Sequence, residues 1–175
     1  MALTKLNFTG QPTLPATSLP AGSIIQTQVA QFQEGISGHT FGGATSGQTA
    51  NASNVFVTIT PHLSTSKLLV NFSGQGGWNS AIAGNAVELY LYRSVGGASF
   101  AVSDLDYGKV ANYACYSNNT TGILHSVSFS WLDNPATTSA VIYKIYVASA
   151  NGGGNATFQA NTHDLCFISV QEIAQ

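Results

Sequence analysis

Trp78, Tyr107, Tyr113 and Tyr116 are the side chains best suited to binding chemistry in this 175-residue chain. Each joins an apolar ring to a polar tip, and each stands among Gly, Ser or Asn. Such rings stack on sugars or fill a partner's pocket, and nearby Asn and Ser supply adaptable hydrogen bonds. The competing reading is that these rings plug the ends of the fold.

Catalytic constellations are weak by comparison. There is no G-x-S-x-G elbow, and His39, His62, His125 and His163 follow no recognisable spacing. Paired carboxylates for glycan hydrolysis would need two of only 7 acidic residues to converge. His163 and Cys166 make at most half a metal site, at the start of a strand whose alternation points their side chains apart. Asp104 and Asp106 open like a calcium loop, but Gly108 falls one position early and no Glu follows where one is required. The Gly-rich run from Asn151 to Asn155 has no following Lys-Ser/Thr, so it reads as a hairpin turn and not as a phosphate cradle. The expectation is a protein with no enzymatic activity, no metal and no cofactor.

The scarcity of charge is more telling. Only 5 basic and 7 acidic residues are present, 7% of the chain, where an ordinary domain carries about 25%. A chain this poor in charge is expected to bury much of its surface against copies of itself or against a larger particle. With no basic patch, nucleic-acid binding by phosphate neutralisation is not expected. No apolar run reaches the ~18 residues of a membrane span, and no secretory signal is read at the start. Cys115 and Cys166 are either two buried thiols or one disulfide.

The elements that must position the candidate rings are strands. Period-two alternation with β-branched and aromatic residues marks 23–32, 54–60, 67–73, 86–93, 126–131, 140–148 and 165–173. Loops are expected at 35–53, 74–85, 104–122 and 151–155, which would put all four candidate rings in loops. No helical stripe is available for parallel crossovers, so the strands predict an antiparallel β-sandwich of the jelly-roll kind. Phe56, Leu69, Tyr90, Tyr92, Ile142 and Tyr146 fall opposite the core face of their strands. That is the pattern of a subunit interface, unless loops cover them.

Residues 1–22 are set apart as an extended N-terminal arm, with 23–175 as a single sandwich domain. Pro12, Pro15 and Pro20 argue against helix there. Leu3, Leu6, Phe8, Leu14 and Leu19 are too apolar for a free linker, so the arm is expected to dock on another subunit or protein; a frayed tail is the alternative.

Four segments carry a family resemblance: Leu19 to Gln26 (LPAGSIIQ), Ser66 to Val70 (SKLLV), Ser128 to Lys144 (SFSWLDNPATTSAVIYK) and Ile168 to Ile173 (ISVQEI). Together they resemble the knob domain of tailed-bacteriophage tail-fibre and virion-surface proteins, over roughly residues 19–175. The resemblance implies an all-β tumour-necrosis-factor/C1q-like sandwich that forms a homotrimer within the virion and contacts other virion proteins. It also implies a role for Trp78, Tyr107, Tyr113 and Tyr116 in binding a host-surface glycan or protein. Segment 1–22 is short where a fibre has its long shaft. Two placements therefore stand: a tail-fibre tip, or a capsid decoration protein held to the head by its arm.

Overall fold

Alternation becomes strand through most of the described residues, because each alternating run finds a partner that completes its backbone hydrogen bonds. The computed structural model describes residues 15–33, 39–41, 51–78, 85–102, 109–117, 123–149, 156–158 and 165–175. Its strands are β1 (Ile24–Gln33), β2 (His39–Phe41), β3 (Asn51–Ile59), β4 (Lys67–Trp78), β5 (Asn85–Val95) and β6 (Ala101–Val102). They continue as β7 (Lys109–Ser117), β8 (Ile123–Asp133), β9 (Val141–Ser149), β10 (Ala156–Phe158) and β11 (Leu165–Ile173). A short 3-10 turn, Ala16–Ser18, precedes them.

The strands form two antiparallel sheets. In the first, β4 pairs with β8 along one edge, and with β11 and then β10 along the other. Outside these lie β1, beside β11, and β2, beside β10. In the second, the order is β3, β9, β5, and the far edge of β5 is shared by β6 and β7. The principal pairs nest: β1 with β11, β3 with β9, β4 with β8, β5 with β7. One long hairpin folded over on itself gives this order, and that is a jelly roll. The expected sandwich is therefore the architecture that forms.

The seven alternating runs all became strands; of the additions, the short β6 and β10 fall outside the expected loops and the others within them. β2 falls within 35–53, the last residues of β4 within 74–85, and β7 within 104–122. Alanine and asparagine blur the alternation of Lys109–Ser117, while Gly76 and Gly77 blur that of β4. Both stretches form because β5, β8 and β10 supply ladders.

Inward-facing residues of both sheets make one core: Leu68, Val70 and Phe72 of β4 meet Leu89 and Leu91 of β5 and Tyr143 and Ile145 of β9. Gly74 permits a close approach there. A Cβ at that position would lie 2.6 Å from the Phe72 ring and 2.9 Å from Cβ of Cys166. Gly22, at φ +87°, turns the arm into β1, and its N–H donates to the Ala174 carbonyl. The start of β1 and the end of the chain thus share one end of the sandwich, here called the base.

Candidate functional site

The base is closed by two buried carboxylates on the inner side of the first sheet. Asp133, Leu68 and Glu172 are cross-strand neighbours in one row, and all three are buried. Arg93 Nη1 lies 2.6 and 2.8 Å from the two carboxylate oxygens of Asp133. The Tyr143 hydroxyl donates to the same carboxylate at 2.6 Å. Since Arg93 and Tyr143 belong to the second sheet, this cluster fastens one sheet to the other. A buried carboxylate is tolerated only when such donors surround it.

Glu172 holds the β3–β4 connection. Its Oε1 accepts from the backbone N–H groups of His62 (2.8 Å) and Leu63 (3.1 Å). Its Oε2 accepts from Gln26 Nε2 at 2.8 Å and lies 3.0 Å from His62 Nδ1. Burial alone would raise this carboxyl's pKa, but the hydrogen bonds from Gln26, His62 and Leu63 outweigh it and hold the group below its ordinary range. Both clusters have scaffold geometry: their oxygens are saturated by the protein itself.

The binding residues expected in loops stand differently in the structure. Trp78 is the last residue of β4, opposite Ile123 and Ala156. Tyr113 and Tyr116 lie on β7, with Tyr116 opposite Ala86. The loop placement of these three is corrected to strand, because ladder partners on both sheets extend β4 and order β7. Trp78 and Tyr116 come to the end of the sandwich away from the base, one on each sheet. Tyr107 lies outside the described residues, as do the arm residues Leu3, Leu6, Phe8 and Leu14. Leu19 follows the 3-10 turn and is half-buried.

The expected interface residues also divide. On the outer side of the second sheet, Tyr90 is buried and Tyr92 and Tyr146 are half-buried. The Tyr92 and Tyr146 rings stack at 4.1 Å, and Phe100 lies against Tyr146 at 6.2 Å. The Tyr90 hydroxyl donates to Glu88 at 2.6 Å. Burial, with the Glu88 carboxyl beside it, pushes that hydroxyl's pKa up. The tyrosines therefore close on one another, while Phe56 remains exposed.

The open apolar surface is on the first sheet, and of the outward apolar residues expected from the sequence only Leu69 lies on it. Val29 on β1, Leu165 and Phe167 on β11 and Leu132 on β8 are 64%, 52%, 45% and 47% exposed. Cross-strand register places Val29, Ser169, Asn71 and Ser130 in one row, and Gln31, Phe167, Ser73 and Ser128 in the next. The Ser130 hydroxyl donates to the Asn71 side-chain oxygen at 2.7 Å. From the row of Thr27, Gln171, Leu69 and Leu132 up to that of Gln31, the face holds no charged residue; Lys67 sits one row below, at its rim. The signal was available in the alternation of β8 and β11, where Ser126, Ser128 and Ser130 fall opposite the core residues and no acid or base falls with them.

No protein-family model matches the chain, and no curated protein matches it. Among solved structures it is similar to the infectious bursal disease virus VP2 subviral particle at 14% identity and a TM-score of 0.41, over 100% of this chain and 42% of that one. It is similar to the infectious bursal disease virus particle at 12% identity and a TM-score of 0.41, over 87% and 37%. It is also similar to the CBM22-1 xylan-binding domain of Paenibacillus barcinonensis Xyn10C at 12% identity and a TM-score of 0.36, over 90% and 99%. The chain spans about two fifths of the length of the viral chains it matches. Likenesses this remote decide nothing about function.

Proposed function

We propose that this chain is a non-enzymatic structural protein of a bacteriophage virion, a homotrimeric knob at the tip of a tail fibre that engages a host-surface glycan or protein. The observation that carries the proposal is a jelly roll exposing a sheet face without charge, in a chain with only 12 charged residues in all. A protein that works as a free monomer keeps Lys and Glu on such a face, whereas one that works in multiple copies does not need them. Three copies held rigidly also turn weak single-site binding into useful avidity. The ends of the molecule fit an attachment tip: the arm enters at the base, and Trp78 and Tyr116 lie at the far end.

The apolar arm residues Leu3, Leu6 and Phe8 favour a second reading, a capsid decoration protein anchored to the head through its arm. Gold labelling of purified virions with an antibody to the chain separates the two. Label at the tail supports the tip, label over the head supports decoration, and particles without label contradict both.

A further inference from the structure

We infer that the outer face of the β1–β11–β4–β8 sheet is the surface through which one copy of this chain meets the next. The inference rests on the multi-copy part of the proposed function and adds the surface and the partner to it.

Charge selects the partner. A strongly acidic or basic protein gains from pairing its charges, and this face offers none to pair. A second copy brings the same uncharged mixture of Ser, Asn, Thr and Gln around apolar side chains. Such a mixture, depleted of charge and including exposed Phe167, has the make-up of an interface core. The outer sheet face opposite would serve less well, since its tyrosines already stack on one another and it carries Lys144 and Glu88.

The layout of the face suits a closed ring. Ring contacts are heterologous, so one margin of each copy must meet a different margin of the next. Val29 lies on the β1 margin and Leu132 on the β8 margin, three strand spacings or ~14 Å apart. Exposed apolar side chains thus stand at both margins of one face. Four strands at ~4.8 Å and about seven residues at ~3.3 Å give roughly 440 Å² of face per copy, divided between two neighbours in a ring, so flanking surface must join it to reach the ~1,000 Å² total of a specific contact. The margin strand β1 also lacks the residues that usually guard an edge. IIQTQVAQFQ contains no Lys, Pro or acid, and among the described strands it pairs with β11 alone. Edge strands left open to solvent are normally guarded by such residues.

The test is sedimentation velocity of the full chain from about 1 to about 100 µM, a range that spans weak to moderate association. The expected result is an assembly heavier than the 18.2 kDa single chain. Phe167→Lys and Ser128→Asp, both at exposed positions, should weaken that association by at least about 100-fold with unchanged far-UV circular dichroism. Phe56→Lys, at a similarly exposed position on the other sheet, should leave it intact. A wild-type chain that stays monomeric throughout would overturn the inference, as would both face variants assembling like wild type. Virion labelling reads the underlying proposal separately. Labelled particles built from a monomeric chain would sink the face alone, and an assembling chain absent from particles would sink the virion role alone.

Discussion

On the outer side of the β9–β5 sheet, Tyr92 and Tyr146 stack, Phe100 leans on Tyr146, and Tyr90 gives its hydroxyl to Glu88. On the outer side of the β1–β11–β4–β8 sheet, Phe167, Leu165, Val29 and Leu132 stand apart and remain about half exposed or more. The aromatic-rich face is thus largely closed, and the serine-rich face is the open one. The difference shows that outward apolar residues do not mark open surface when they can satisfy one another. Exposed apolar area with no charge around it is the better guide. The inner side of the open sheet sharpens the contrast, because Asp133 and Glu172 both point into the molecule there and neither reaches its outer face.

Asp133→Ala should give the largest effect. It removes the acceptor shared by Arg93 and Tyr143 and unfastens the two sheets, at a cost of about 3–5 kcal/mol in urea unfolding. Tyr90→Ala comes next and tests the closed face directly. Losing a ring that is 6% exposed should cost about 3 kcal/mol. A cost near zero would mean that this face is not closed by its own rings.

Glu172→Gln should cost about 1–2 kcal/mol at neutral pH by weakening the charge-assisted bonds to the β3–β4 connection. The sign of the pH dependence follows from its lowered pKa. The ionised form is favoured by folding, so its contribution is present above the ordinary glutamate value of 4.5 and is lost as pH falls below it. Melting curves from pH 6 down to about 3 should therefore drop more steeply for wild type than for Glu172→Gln. The smallest effect on stability belongs to Phe167→Ser on the open face, within about 0.5 kcal/mol for the single chain. A large loss there would mean that Phe167 serves the core and not a contact.

Much of this fold was legible because alternation is unambiguous where β-branched and aromatic residues carry it. Val55, Val57 and Ile59, which alternate with the outward Phe56, face inward and are buried, and so are Leu68, Val70 and Phe72 around the outward Leu69. β7 and the end of β4 were not legible, because Ala, Asn and Gly give weak alternation and those segments depend on neighbours far along the chain. Trp78, Tyr113 and Tyr116 consequently moved from loops to strands. The carboxylate clusters were hidden for the same reason: Gln26, His62 and Glu172 meet across 110 and 146 residues of sequence separation. Nothing in local spacing signals such a meeting.

Thiol labelling of Ser128→Cys tests the central claim most directly. Ser128 is exposed in the single chain and lies in the row of Phe167. Peptide mass mapping reads it apart from Cys115 and the buried Cys166. The predicted result is a labelling rate that falls at least about tenfold as the concentration rises through the range in which copies associate. A rate that is fast and the same at every concentration would contradict the account, since the face would then be open to water when the chain is assembled.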